Sequence, residues 1–102
     1  MSPHGSHHEL GPAVAYHRDI SDLHVQANGD AAVAIRAGRP GQVTVTSSLS
    51  WTFGKPAVSQ AWHGNSFWLG ATCPKLEPFP GCQARIVISV PAGTAVQAQA
   101  PP

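Results

Sequence analysis

The chain has 102 residues, which is enough for one domain with one modest hydrophobic core. Only 11% of its residues are charged and the formal net charge is +1, so electrostatics favours neither nucleic acid nor an acidic partner. Ten Gly and ten Pro favour many turns over long helices, and no stretch approaches the roughly 20 apolar residues of a membrane-spanning helix.

The N-terminal segment, residues 1–19, shows no clean periodicity. We predict a flexible lead-in there, followed by a single β-rich domain over residues 20–100. The first ten residues have neither the positive region nor the apolar region of a signal peptide. Either the start is artificial or truncated, or the product stays inside the cell.

Period-two alternation begins in residues 22–27 and predicts a strand. Asn28-Gly29-Asp30 follows and favours a tight turn, because Asn and Gly tolerate positive φ. We therefore predict an antiparallel hairpin with its apolar side chains on one face. Its register pairs Val25 with Val33 and Leu23 with Ile35.

Two further β segments follow in the chain. After a turn at residues 38–41, residues 43–51 alternate between apolar and hydroxyl side chains. A second hairpin is predicted over residues 57–72, around Gly64-Asn65. Its register pairs Trp62 with Phe67, Gln60 with Leu69 and Val58 with Ala71, and it leaves Trp68 on the opposite face.

The C-terminal third contains a break and a last long strand. Residues 74–81 hold three prolines and cannot form a central strand. Residues 83–90 alternate again, and a turn at residues 91–94 leads into a short final segment. The predicted fold class is all-β, with antiparallel hairpins or a meander of about six or seven strands and no long helix. This pattern fits a small sandwich or the start of a β-solenoid.

The predicted core consists of the inward-facing apolar positions of these strands. They are Leu23, Val25, Val33, Ile35, Val43, Val45, Leu49, Trp51, Val58, Trp62, Phe67, Leu69, Ile86, Ile88 and Val90.

Cys73 and Cys82 flank the proline-rich segment, and we predict that they form a disulfide. Closing a loop of this length would stabilise the fold by about 2–3 kcal/mol. The alternative is two free thiols, which a reducing cytoplasm would favour. The spacing lacks a C-x-x-C pair and a neighbouring His, which argues against zinc and against a catalytic thiol.

Other residues suggest little chemistry. The five acidic residues are scattered, and no nucleophile or phosphate-binding motif is present, so we predict no catalytic residues, no cofactor and no enzyme. His4, His7 and His8 could bind Ni²⁺ or Zn²⁺ adventitiously, but we predict no specific metal site. His24 and His63 are expected to be solvated.

Trp68 is the one aromatic residue that the predicted registers place on a small, polar face. It could cover the core from outside, pack on a neighbouring module or contact a ligand. This residue is the basis for an alternative function, a small carbohydrate-binding β-sandwich.

The order of several short motifs resembles the N-terminal part of an actinobacterial family provisionally described as adhesins, a domain of unknown function with a repetitive β-solenoid. The resemblance covers about residues 20–98. Three groups of residues carry it: Asp22-Leu23-His24-Val25 with Asn28-Gly29-Asp30; Ser48-Leu49-Ser50-Trp51 with Lys55-Pro56-Ala57-Val58; and Cys73-Pro74 with Cys82 and Ile86-Val87-Ile88-Ser89-Val90-Pro91-Ala92-Gly93-Thr94.

The resemblance implies a non-enzymatic structural or interaction module of the cell envelope, located outside the cytoplasm. It also supports pairing Cys73 with Cys82. Family members continue past the turn at residues 90–94 into further coils, so this chain is expected to be truncated and to self-associate through an exposed edge strand.

The expected partner is another protein or a cell-surface component, with no nucleic acid and no membrane span. The carbohydrate-binding sandwich is the alternative, and a periplasmic metal-binding module that uses the N-terminal histidines is a weaker one.

Overall fold

The computed structural model describes residues 7–11, 13–52, 55–73 and 81–99, which contain nine strands and no helix. The predicted all-β class is confirmed. The strands are β1 (His7–Leu10), β2 (Val14–Tyr16), β3 (Asp22–Gly29), β4 (Ala31–Gly38), β5 (Val43–Trp51), β6 (Ala57–His63), β7 (Ser66–Cys73), β8 (Cys82–Pro91) and β9 (Ala95–Gln99).

The nine strands form two mixed sheets. The first sheet has the order β1-β5-β8-β4, with β2 also paired to β5, and the second has the order β6-β7-β3-β9. Three of the pairs, β3–β7, β3–β9 and β4–β8, are parallel. Parallel neighbours need crossover connections. Among the described strands, β6 and β7 are the pair that is consecutive in the chain and also hydrogen-bonded, so the expected series of hairpins is reduced to one.

The predicted hairpin between β3 and β4 is wrong, because the two strands belong to different sheets. Gly29 has a φ of 72°, and a Cβ there would collide with the carbonyl oxygen of Cys73. The left-handed glycine lets the chain pass from the second sheet into the first at this corner. Val25 therefore lies beside Leu69 of β7, and Val33 lies beside Ile86 of β8.

The predicted hairpin between β6 and β7 has the register expected from the sequence. Trp62 lies opposite Phe67, Gln60 opposite Leu69, and Val58 opposite Ala71. Gly64 has a φ of 62°, which the tight turn between the two strands requires.

The core lies between the two sheets, and most of the predicted core residues are part of it. Val33, Trp51, Val58 and Trp62 are partly buried and pack against it. The predicted core residues that are buried are Leu23, Val25, Val43, Val45, Leu49, Phe67, Leu69, Ile86, Ile88 and Val90.

The assignment of Ile35 to the core is wrong, since this side chain is 39% exposed. It lies on β4, the edge strand of the first sheet, with β8 on one side only. An edge position lacks the second neighbouring strand that would complete the burial.

The segment predicted as a lead-in contributes two short strands to the first sheet. Both β1 and β2 pair antiparallel with β5. Tyr16 of β2 packs against the core cluster. Residues 1–6 lie outside the described residues, and the division of the chain at residue 19 stays a prediction.

The predicted disulfide is present. Cys73 at the end of β7 is bonded to Cys82 at the start of β8, with their Cα atoms 5.6 Å apart. Both residues are buried beside Leu49 and Ala84. The bond links the second sheet to the first, while residues 74–80, which contain the prolines, lie outside the described residues.

Reduction of this disulfide is expected to lower the free energy of unfolding by about 2–3 kcal/mol, because the cross-link restricts the unfolded chain. Urea unfolding of the protein with and without dithiothreitol measures this difference. The double variant Cys73→Ala/Cys82→Ala is the control and should not respond to the reductant. An unchanged unfolding midpoint for the reduced wild-type protein would contradict the prediction.

Two isoleucines in adjacent positions test the corrected core. Ile35 and Ile88 are register partners on β4 and β8, but Ile88 is fully buried. Ile88→Ala should cost about 2–5 kcal/mol in urea unfolding, and Ile35→Ala about 1 kcal/mol or less. Equal costs at the two positions would mean that β4 is covered and not an exposed edge.

Candidate functional site

The outer face of the second sheet carries the residues that alternate with the buried ones. Because β6, β7, β3 and β9 are in register, these outward residues form rows that run across the strands. The rows are His63, Ser66, Asp22 and Ala95; then Ala61, Trp68, His24 and Gln97; then Ser59, Gly70 and Gln26; and then Ala57, Thr72 and Asn28.

Trp68 is at the centre of this face and is 42% exposed. Its ring stacks on His24 with the centroids 4.0 Å apart and an angle of 6° between the planes. His63 approaches edge-on, with its centroid 6.0 Å away. Since β7 lies between β3 and β6, His24 covers one face of the indole. On the other side its row neighbour is Ala61, and a depression is lined by both Trp68 and Ala61.

His24 is held in place by a short chain of hydrogen bonds, contrary to its expected solvated state. Its Nε2 lies 2.5 Å from Oδ2 of Asp22 and donates to this carboxylate. The hydroxyl of Ser66 donates to Oδ1 of the same carboxylate. The side chains of His24 and Asp22 are only 17% and 23% exposed. Trp68 therefore rests on a fixed imidazole and not on a mobile one.

The same contacts set the charge state of Asp22. The hydrogen bond from Ser66, together with the hydrogen bond and the charge of His24, lowers the pKa of this carboxyl below its ordinary value. Partial burial acts in the opposite direction and is outweighed. Asp22 is therefore an ionised acceptor that holds its two neighbours.

Ser66, Asp22 and His24 do not have the arrangement of a catalytic triad. An activated serine gives its proton to a histidine, and the carboxylate orients that histidine from the other side. Here the hydroxyl of Ser66 donates directly to the carboxylate of Asp22. The geometry is that of a support for His24 and Trp68.

Two adjacent shallow depressions lie over Gly70 beside Trp68, and together they are called the groove below. One has a volume of about 100 Å³ and extends to Trp68 and His24. The other has a volume of about 160 Å³ and extends to Asn28 and Thr72. They share Gln26, Ser59 and Gly70 as lining residues.

Gly70 forms the floor of this groove because it has no side chain. A Cβ at this position would lie 2.6 Å from Oγ of Ser59 on the neighbouring strand. From Trp68 to Thr72 the groove follows β7 for roughly 13 Å at the rise of an extended strand. Among the described residues that line it, none is Lys, Arg, Asp or Glu.

Sequence reasoning identified Trp68 but missed its supporting residues. Asp22, His24 and Ser66 become neighbours only because β3 and β7 are parallel and adjacent. The predicted β3–β4 hairpin paired β3 with β4, so the pairing of β3 with β7 was not predicted. The available signal was the alternation pattern, since His24 and Trp68 each alternate with buried residues on their own strand. This pattern places both side chains on the outer face of a sheet.

The remaining expectations concern metal binding and membrane spans. His4 lies outside the described residues, so the weaker alternative of metal binding by His4, His7 and His8 is not tested. Within the described ranges, no group of three or more His, Cys, Asp or Glu residues is placed to hold a metal ion. None of the described elements is a helix with the length and apolarity needed to cross a membrane.

No protein-family model matches the chain. No curated protein matches it either. Among solved structures, it is similar to one provisionally described as a cell adhesion protein from Clostridium sporogenes, with a TM-score of 0.48 and 8% sequence identity. The match covers 85% of this chain and 45% of that one, so this chain spans less than half of that protein. A similarity this distant does not transfer a function, and membership of the actinobacterial family with its solenoid stays a prediction.

The hydrogen bonds of Asp22 predict a pH dependence of stability. Because its pKa in the folded state lies below the ordinary value of 3.8, the ionised carboxylate stabilises the fold above that pH. This contribution is lost as the pH falls through the lowered folded-state pKa. Asp22→Asn should therefore be less stable than wild type at about pH 5, and the difference should shrink towards about pH 2.

Urea unfolding midpoints at the two pH values measure the effect. Asp19→Asn, which removes a carboxylate from an exposed position in the chain, is the matched control. A stability difference between wild type and Asp22→Asn that is equal at both pH values would show that ionisation of Asp22 does not stabilise the fold.

Proposed function

We propose that this chain is a non-enzymatic interaction module that works outside the cytoplasm and binds a protein or another cell-surface component. Its contact surface is the outer face of the second sheet. The observation that carries the proposal is Trp68, an exposed indole on a face of small and polar side chains.

The support of Trp68 favours a binding role over simple coverage of the core. Its ring is not folded onto the sheet but stacked on His24, which Asp22 and Ser66 hold in place. A side chain that is already fixed loses little conformational entropy when a partner binds. Exposed aromatic residues with this rigidity are common energetic centres of binding surfaces.

The disulfide supports a location outside the cytoplasm. Disulfides persist in oxidising compartments, and reducing compartments keep thiols free. Cys73 and Cys82 are buried between the sheets and account for both cysteines of the chain. Their bond lies in the core and links the two sheets, which is a structural position.

The edge strands offer a second contact surface. β4 carries one charged residue, Arg36, and β9 carries none. Edge strands with few charges and no proline are open to pairing with another strand. Self-association of the chain through an exposed edge stays a prediction, and β4, β6 and β9 are edge strands that fit this description.

Beads coated with the protein test the proposal. They should adhere to at least one surface of a panel made of peptidoglycan, mucin, fibronectin and collagen. Trp68→Ala should reduce that adhesion by about tenfold or more, because the contact centre is lost. Adhesion is measured as the number of beads retained under flow.

Leu10→Ala is the matched control, since Leu10 is another exposed apolar side chain but lies on the first sheet. It should leave adhesion unchanged. Sedimentation of each variant checks that bead retention does not come from self-association. Adhesion that survives in Trp68→Ala, or no adhesion to any surface, would refute the proposal.

A further inference from the structure

We infer that the groove over Gly70 binds a neutral oligosaccharide, with one sugar ring stacked on Trp68 from the side towards β6. This inference rests on the proposed function, because the groove is part of the proposed contact surface. It names the chemical class of the ligand.

The indole provides a one-sided platform. His24 occupies one face of the ring, and the depression on the side towards β6 is lined by Trp68 and Ala61, so a ligand would stack there, beside the edge-on ring of His63. The C–H groups on one side of a sugar ring form a flat apolar surface that packs on such a face. Ala61 is small enough to leave room for that ring, and Gly70 continues the space along the strand.

The polar lining of the groove matches hydroxyl groups. Beyond Trp68 the groove presents the amides of Gln26 and Asn28 and the hydroxyls of Ser59 and Thr72. Amides and hydroxyls both donate and accept hydrogen bonds, as sugar hydroxyls do. The groups lie on both sides of the Gly70 floor, so one sugar unit can contact side chains from β3 and β6 together.

The charge of the groove selects against ionic sugars. None of the described residues that line it is a lysine, an arginine or a carboxylate. The carboxylate of Asp22 is nearby but is already occupied by Ser66 and His24. The charge of His24, which also lines the groove, is paired with Asp22, so a sialic or uronic acid would lose water without gaining a free counter-charge, which is unfavourable.

The shape of the groove points to a short chain and not to a single small molecule. At roughly 13 Å it is extended along β7, whereas its two parts are too shallow to enclose a compact ligand. An open groove of this kind binds weakly, with a dissociation constant on the order of 0.1–1 mM for one short oligosaccharide. Several copies on one surface would add avidity.

A peptide is the competing ligand, and the sheet argues against it at this place. β3 and β7 are central strands whose backbone groups are paired on both sides. Strand addition is therefore not available over the groove, and a peptide would have to bind through side chains alone.

The test uses the whole chain and begins with an array of neutral and anionic glycans. NMR titrations then follow the Trp68 indole and the Gly70 amide with maltotriose, cellotriose, chitotriose, lactose and 3′-sialyllactose. At least one neutral trisaccharide should bind on the array or in the titrations. A trisaccharide that binds in the titrations should shift the signals of both the Trp68 indole and the Gly70 amide. If lactose binds, 3′-sialyllactose should bind more weakly.

Two groove variants and one control variant test whether the glycan binds in the groove. Trp68→Ala should weaken glycan binding by about tenfold or more. Gly70→Ala adds a methyl group in the groove that displaces the hydroxyl of Ser59, and it should weaken binding while leaving the indole intact. Gln97→Ala should bind as wild type does, because Gln97 is on the same face but does not line the groove.

The outcomes separate this inference from the proposed function. If beads adhere to fibronectin or collagen through Trp68 but no neutral glycan binds at millimolar concentration, the ligand class is wrong and the interaction module stands. Preference for the sialylated glycan, or glycan binding that both groove variants retain, also overturns the inference. If neither beads nor glycans bind, both proposals fail.

Discussion

The corner at which the chain passes between the two sheets determines the rest of the structure. The Cys73–Cys82 bond joins the end of β7 to the start of β8, and Gly29 passes beside Cys73 as β3 leads into β4. The backbone N–H of Ala84 donates to the carbonyl of Asp30, which ties the two crossings together. Because glycine has no side chain, the two crossings can lie in contact.

This corner also sets the geometry of the binding face. Once Gly29 is in register with Cys73, each earlier residue of β3 is in register with a residue of β7. His24 then lies beside Trp68, and Asp22 beside Ser66. A shift of one residue would turn these side chains into the core and the buried ones outwards. The covalent link between the sheets and the surface chemistry thus depend on one register.

The parts of the fold that sequence predicts are those governed by local patterns. The β6–β7 hairpin has a short turn at Gly64, and its two strands offer one register that buries Trp62 and Phe67 together. Alternation likewise identifies the buried positions of β5 and β8, since it requires no knowledge of which strands are neighbours. The disulfide could be inferred because both cysteines flank one short segment.

The remaining features depend on partners far away in the chain. The sequence Asn28-Gly29-Asp30 is compatible with a hairpin turn and with a connection between the two sheets. In either case the apolar side chains of β3 and β4 can face the same core. The true neighbours of β3 are β7 and β9, which local periodicity cannot reveal. Because the sequence does not show which strands are neighbours, Ile35 was assigned to the core and the contacts of His24 were not predicted. Tyr16 and the short strand β2 were missed because three residues are too few to show a period.

The central position of β3 has a consequence for the order of folding. This strand pairs with β7 and β9, which both lie far from it along the chain. Parallel pairs between such distant segments form slowly, because a long loop must close before any contact is gained. Most of the chain must therefore be available before its earliest central strand is paired.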